Sequence, residues 1–239
     1  YFGKSIFRPK KGMFKIDFRL IKNIFIIGFP SFLTAITDSI IFLIFNRAIL
    51  YYGNDAYLAI AGITIRIMDL IVMPIIGITH GFSTIASFNY GAKLYTRVKK
   101  ILREAVLWTG LIAITGFIAT MFFPHFLLRI FTDNTQIIND GIVPMRIIVT
   151  FLPLIGFLIV GGSLFQAIGK PVPALIINFS RQVIFLLPAI LILPIFCGLN
   201  GVFMSWPVSD FLSFIVTIIF VSIEIRIINK SINQIAEKP

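Results

Sequence analysis

The chain has 239 residues, of which 58% are hydrophobic and 13% are charged, and its net charge is +11. Soluble domains carry about 25% charged residues, so this composition excludes an ordinary water-soluble fold and predicts an all-α polytopic membrane protein. The basic residues lie in the gaps between apolar runs instead of covering one surface, which argues against a nucleic-acid partner. The one cysteine, Cys197, excludes an internal disulfide framework and a cysteine-based metal cluster.

The chain opens with a strongly basic segment, residues 1–23, in which apolar residues recur at helical spacing. This pattern is typical of an amphipathic helix on the inner membrane face, and an ordinary basic loop explains it equally well. Six apolar stretches follow, each long enough for a bilayer crossing, which needs roughly 20 residues. The second is long for a single crossing, which predicts that it is tilted or extends beyond the bilayer. We place these six spans at about 23–50, 57–88, 105–123, 142–167, 172–196 and 202–225.

Turn and loop signals separate the spans. A turn is predicted at 52–55, a basic turn with a short surface helix at 89–103, a loop at 124–141 and a tight turn at 197–201. This arrangement puts most of the 21 basic residues on one side of the membrane. The positive-inside rule then places both chain termini in the cytoplasm.

Ionisable residues interrupt the apolar spans, where a charge costs at least about 2.5–3.5 kcal/mol, so they are candidates for function. Asp38 lies deep in the first span, where a carboxylate can take up and release a proton, hold a cation, or act as a hydrogen-bonded structural residue. Arg181 and Asp210 lie on consecutive spans and can form an ion pair. Arg66 and Asp69 are three residues apart on one helix and can do the same. Each pair is a candidate gate or a structural clasp.

Three further polar residues are weaker candidates for a cavity between the helices. His80 carries a side chain of the type that titrates near neutral pH, and Gln166 and Asn178 carry amides that can line a cavity.

Prolines at 30, 74, 153, 188, 194 and 207 remove backbone donors, so the spans can kink, either statically or as hinges. We find no catalytic motif, phosphate-binding loop or metal-ligand spacing, so we predict neither an enzyme nor a cofactor or metal site.

Several different short sequence motifs follow one another along the chain: Ile27–Ser31, Met73–Gly77, Ser87–Lys93, Leu164–Pro171, Arg181-Gln182, Leu187-Pro188 to Leu193-Pro194, Gly198–Val202 and Pro207–Asp210. In order and spacing over about residues 20–228 they resemble the C-terminal half of the multidrug and toxic compound extrusion (MATE) transporters. The resemblance implies a twelve-helix transporter built from two six-helix lobes around a central cavity. This chain would contribute the second lobe, and its partners would be the missing N-terminal lobe, the lipid bilayer and an organic-cation substrate.

The resemblance also implies a domain plan and a function. Residues 24–228 would be the C-terminal lobe, 1–23 the cytoplasmic linker between lobes, and 229–239 a cytoplasmic tail. The protein would be a multi-pass transporter of the cell (inner) membrane that exports organic cations or drugs by antiport with H⁺ or Na⁺. In one branch of the family an essential acid lies at the spacing of Asp38, which makes Asp38 the candidate ion-coupling residue.

Two alternatives to this function stay open at the level of sequence. The first is a lipid-linked sugar flippase of the related superfamily, which would be expected to line its cavity with several cationic residues for pyrophosphate. The second is an inactive truncated lobe.

Some sodium-coupled MATE proteins carry an acid in the fourth span of this lobe, and residues 142–166 contain none, which speaks against a sodium site built from this lobe alone.

Overall fold

The computed structural model describes residues 36–236, and all regular structure within this range is helical. The predicted basic segment 1–23 and the proline at position 30 lie outside the described residues. Helix α1 covers residues 36–52 and is followed by a turn at Gly53 and Asn54. The Asn54 side chain then caps the next helix by accepting two backbone N–H bonds, at 3.0 and 3.3 Å. The predicted turn at 52–55 is confirmed.

Helix α2, Asp55–Gly91, has 37 residues. An α-helix of this length measures about 55 Å, whereas the hydrocarbon core of a bilayer is about 30 Å thick, so α2 is tilted or extends beyond the bilayer. Buried threonines are accommodated because their hydroxyls donate to carbonyls one turn earlier, as Thr64 does to Ile60 at 2.8 Å.

Helix α3, Tyr95–Phe122, begins in the basic segment and continues through the third apolar stretch. The prediction of a separate surface helix before a span starting near residue 105 is therefore wrong. Residues 95–104 contain neither glycine nor proline, and their lysines, arginines and leucine are good helix formers, so nothing interrupts the helix.

The predicted loop at 124–141 is also largely helical. It contains α4, Pro124–Arg129, and the first half of α5, Thr135–Ile148. Proline favours the first position of α4, and the Asn134 side chain caps α5. Helix α6, Leu152–Ala167, follows α5 at a bend of 46°, so the predicted fourth span is a bent pair of helices.

The last part of the chain forms α7, Pro171–Phe179, a π-helical segment, Ser180–Leu186, and α8, Leu187–Ala236. Helix α8 is broken at Gly198, whose φ of 56° and ψ of −138° are not helical. In a straight helix residues 181 and 210 would lie about 43 Å apart, yet their side chains are in contact at 2.8 Å.

The chain therefore folds back on itself at Gly198, and the predicted turn at 197–201 is confirmed. The two arms approach closely at Gly201, where a Cβ atom would lie 2.4 Å from the Leu193 carbonyl oxygen. Beyond the turn, α8 continues to Ala236, so the beginning of the predicted polar tail is helical.

Within residues 36–236, three helices are long and apolar enough to cross a membrane, or four when the bent α5–α6 pair counts as one span. The longest of these, Pro171–Asn233, contains the reversal at Gly198. The count of six spans stays a prediction. Many large apolar side chains are exposed on the outer faces, as expected where helices contact lipid.

Two apolar clusters hold the bundle together. One is centred on Phe45, Leu152 and Phe203 and joins α1, α6 and α8. The other includes Phe82 and Leu102 and joins the opposite end of α2 to α3, α6 and the end of α8. Asp38 and Arg181, two of the residues predicted for the site, line a cavity together with Ile41 and Leu186 of the first cluster.

Candidate functional site

The π-helical segment carries the arginine of the site. Arg181 Nε donates to Asp210 Oδ1 at 2.8 Å, and the Asp210 side chain is only 2% exposed. Ser209 Oγ donates to the Arg181 backbone carbonyl at 2.6 Å, which ties the same segment to α8 a second time. The ion pair that the sequence suggested between neighbouring antiparallel helices is thus present. Because burial of one partner makes an unpaired charge costly, the pair fixes the π-helical segment against α8.

The next residue along the chain binds a different carboxylate. Gln182 Nε2 donates a hydrogen bond to Asp38 Oδ1 on α1. Asp38 and Arg181 also line one cavity of about 400 Å³, together with Phe42 and Trp206. Asp38 forms no ion pair among the described residues, and its hydrogen-bond partner is a neutral amide. Asp38 therefore presents a carboxylate to a cavity without a directly paired cationic side chain.

A smaller cavity of about 170 Å³ shares Arg181 and Trp206 with the first and extends to Asp69 on α2 and Ile155 on α6. The two cavities therefore meet at the Arg181 and Trp206 side chains. The sequence paired Asp69 with Arg66, but their closest atoms are 3.8 Å apart and both side chains are largely exposed. This distance is too long for a hydrogen bond, and the contact is weak because water screens it.

The three weaker candidates lie elsewhere. His80, Gln166 and Asn178 are all exposed and line neither cavity. The His80 backbone carbonyl accepts a hydrogen bond from Thr84, and the Asn178 side chain lies against Gly162 of α6. The structure does not bring these three residues together with Asp38, and a functional role for them stays a prediction.

Sequence reasoning missed two residues of this site. Gln182 was noted only as the neighbour of Arg181, and Trp206 was not singled out. Trp206 forms the wall between the two cavities, and its buried indole Nε1 has no hydrogen-bond partner among the described residues. Its position four residues before Asp210, on the same helix face, is a signal that could have identified it.

A second buried ion pair was also missed. Lys170 Nζ, in the turn before α7, lies 2.8 and 2.6 Å from the two carboxylate oxygens of Glu224 on α8. Glu224 is 3% exposed, so this contact clasps α8 to the end of α6 away from the two cavities. The signal was available, because Glu224 is an acid close to the end of the last apolar stretch.

Carboxylates are the groups of this site whose chemistry suits a proton or a cation. Among residues 36–236, no group of three or more His, Cys, Asp or Glu side chains is arranged to hold a metal ion. The charged residues lining the two cavities are two aspartates and one arginine, and that arginine is already paired with the buried Asp210. The unpaired charge facing the first cavity is therefore the carboxylate of Asp38.

Long apolar helices that enclose a cavity lined by ionisable residues define a polytopic membrane protein with a polar interior. The model of the MatE family matches residues 30–192, and the chain belongs to this family.

The matched relatives are export proteins by name. The chain is 28% identical over 193 residues to the multidrug export protein MepA of Staphylococcus aureus (strain MSSA476), covering 80% of this chain and 42% of MepA. It is 26% identical over 208 residues to MepA of Staphylococcus saprophyticus, covering 86% of this chain and 44% of that protein. The chain thus spans about half the length of these relatives.

Solved structures of MATE transporters match over a similar range. The structure of the MATE multidrug transporter DinF-BH is 38% identical with a TM-score of 0.74, covering 85% of this chain and 46% of DinF-BH. Two structures at 22% identity, an inward-facing and an outward-facing MATE transporter, give TM-scores of 0.82 and 0.81 and cover 91% and 92% of this chain and 50% and 49% of those chains. This fold therefore occurs in structures of both the inward-facing and the outward-facing conformation.

Proposed function

We propose that this chain is the C-terminal lobe of a secondary active transporter that exports organic cations or drugs from the cell by antiport with H⁺ or Na⁺. The observation that carries the proposal is the carboxylate of Asp38, which faces a cavity of about 400 Å³ and forms no ion pair with a described residue. A charge at membrane depth is costly and is retained where it serves a pathway or a relay. The names of MepA and DinF-BH support drugs as the exported class.

The proposed two-lobe architecture rests on a comparison of this chain's length with that of its relatives. The relatives are about twice as long as this chain, which is consistent with a second lobe across the cavity. In this proposal residues 24–228 form the C-terminal lobe, 1–23 link it to its partner, and 229–239 are a tail on the cytoplasmic side. The transporter is multi-pass, acts without a cofactor, and uses the ion gradient as its energy source.

The coupling mechanism that we propose uses the two consecutive residues of the π-helical segment. With Asp38 ionised, Gln182 donates to it, and the Arg181 guanidinium lies on the same cavity. When a proton or a cation neutralises Asp38, its attraction to Arg181 disappears and the hydrogen bond to Gln182 weakens. The link from the segment to α1 through Asp38 is then weaker, whereas its link to α8 through Asp210 is unchanged. Occupancy of Asp38 would thereby bias movement of one lobe against the other.

The residues that line the two cavities also argue against the flippase alternative. A pyrophosphate group needs several cations, whereas Arg181 is the one basic residue within 36–236 that lines either of the two cavities, and Asp210 already neutralises it. We therefore favour a cationic cargo over an anionic one.

The test uses the full-length transporter in proteoliposomes. Export of a fluorescent organic cation is followed under an imposed proton gradient and then a sodium gradient, for wild type, Asp38→Asn and Asp55→Asn. Asp55 is exposed in the first turn of α2, so Asp55→Asn is the matched control for loss of one carboxylate. We expect gradient-driven export in wild type and the control and its loss in Asp38→Asn, with the driving ion identified by the active gradient.

Two outcomes would contradict the proposal. Full coupled export by correctly inserted Asp38→Asn protein would remove Asp38 from the coupling mechanism. No export of any cation by the wild-type protein under either gradient would favour the flippase or an inactive lobe.

A further inference from the structure

A groove of about 550 Å³ runs along the outside of the bundle between the first half of α3 and the end of α8. It shares no residue with the two cavities that Arg181 and Trp206 line. Apolar side chains from α3, α6 and α8 form its walls: Leu102, Val106, Leu107, Phe157, Val221 and Ile225. A groove of this composition on a membrane-facing surface suits a hydrocarbon chain.

Two basic side chains lie at one end of this groove. Lys99 and Arg103 are the charged residues that line it, and they are four apart on α3, so both project from one face. Lys99 Nζ donates to Asn229 Oδ1 on α8 at 2.7 Å, which holds its side chain across the mouth of the groove. Neither cation forms an ion pair among the described residues. Their positive charge is therefore available to an anion.

The basic end and the apolar walls of the groove are arranged like the charged headgroup and the hydrocarbon chain of an amphiphile. The helix rises about 12 Å from Lys99 to Leu107, so the cations stand at one end and the apolar walls extend from them along the span. The cations lie where the apolar stretch of α3 begins, which is the depth of lipid headgroups. A soluble anion would leave the apolar walls empty, and a zwitterionic lipid would gain less from two uncompensated cations.

We propose that this groove binds an anionic phospholipid. Its phosphate contacts Lys99 and Arg103, and one acyl chain lies along Leu102, Val106 and Val221. Because the groove joins α3 to α8, a bound lipid bridges two helices that the Lys99–Asn229 hydrogen bond also joins. The proposal does not depend on the export function, since it concerns a surface separate from the Asp38 cavity.

The test is native mass spectrometry of the detergent-purified, full-length protein, titrated with phosphatidylglycerol or with phosphatidylcholine of the same acyl chains. We expect wild type to retain one phosphatidylglycerol at a concentration at least about tenfold below that for phosphatidylcholine. This preference should disappear in the double variant Lys99→Gln/Arg103→Gln. The conservative double variant Lys99→Arg/Arg103→Lys should keep it, which shows that charge at these positions is what matters.

The matched control is Arg97→Gln/Lys100→Gln, which removes the same charge from exposed positions on the same helix outside the groove. This variant should bind phosphatidylglycerol as wild type does. An equal loss in both glutamine double variants would overturn the proposal in favour of diffuse attraction to the basic segment. Displacement of the lipid by millimolar glycerol phosphate or inorganic phosphate would overturn it in favour of a soluble-anion site.

Discussion

Arg181 and Gln182 are consecutive residues whose side chains bind two different carboxylates, Asp210 on α8 and Asp38 on α1. They lie in the π-helical segment Ser180–Leu186, followed two residues later by Pro188. A proline inside a helix removes one backbone hydrogen bond and crowds the preceding turn, and π-helical turns frequently occur at functional sites. The segment thus connects a fixed, buried ion pair to a carboxylate that faces a cavity.

The first prediction concerns the buried ion pair. Asp210→Asn leaves the Arg181 guanidinium without an opposite charge beside it in an apolar bundle, which should lower the free energy of unfolding by about 3 kcal/mol. This value is at the lower end for buried pairs because the Arg181 side chain is 30% exposed. Denaturant unfolding of the purified protein in detergent measures the change.

The exposed pair Arg66 and Asp69 provides the control for this prediction. Asp69→Asn should change stability by less than about 0.5 kcal/mol, because exposed pairs contribute little. The double variant Arg181→Leu/Asp210→Leu should be less destabilised than Asp210→Asn, since it leaves no uncompensated charge. If Asp69→Asn and Asp210→Asn had equal effects, burial of the Arg181 pair would have no energetic consequence.

Local signals in the sequence were enough for the parts of the site that depend on charge and on turns. The turns at 52–55 and 197–201 are marked by glycine and asparagine, and Arg181 and Asp210 are marked as charges inside apolar stretches. The hydrogen bond from Gln182 to Asp38 joins residues that are distant in sequence, so it follows from tertiary packing and has no local signature. The continuity of α3, by contrast, has a local cause, because residues 95–104 contain neither glycine nor proline.

The second prediction concerns the chain reversal at Gly198. Its φ of 56° is in the left-handed region, where a Cβ atom is unfavourable, so Gly198→Ala should destabilise the protein by about 1–2 kcal/mol. Gly77→Ala is the control, because Gly77 lies inside α2 with open space around its Cβ position. The control should be neutral or slightly stabilising. Equal melting temperatures for the two variants would show that the reversal does not require glycine.

The third prediction concerns the wall between the two cavities. The indole of Trp206 lies 5.8 Å from the Phe45 ring, centroid to centroid, and its N–H has no partner among the described residues. Trp206→Phe keeps an aromatic ring at this position and removes the N–H, so stability should change by less than about 1 kcal/mol. Because the unpartnered indole N–H can donate to bound cargo, Trp206→Phe should weaken binding of an organic dye cation by the full-length transporter about 2- to 10-fold, the equivalent of one hydrogen bond.

Fluorescence polarisation of the dye measures this affinity without relying on protein fluorescence. Trp108→Phe is the control, because Trp108 is exposed on α3 and lines neither cavity near Asp38. It should leave the affinity unchanged. A loss of affinity in Trp108→Phe equal to that in Trp206→Phe would mean that the dye does not report on the Trp206 cavities.

The last prediction concerns orientation in the membrane and uses the one cysteine of the chain. Cys197 is exposed beside the reversal at Gly198, at the end of the bundle away from the basic segment that begins α3. The positive-inside rule places the basic segment in the cytoplasm and Cys197 outside. A membrane-impermeant maleimide added to intact cells should therefore label Cys197. In a Cys197→Ala background, Lys100→Cys should be labelled only after the cells are permeabilised. Labelling of Lys100→Cys in intact cells would reverse the proposed orientation and place the anionic-lipid groove in the outer half of the membrane.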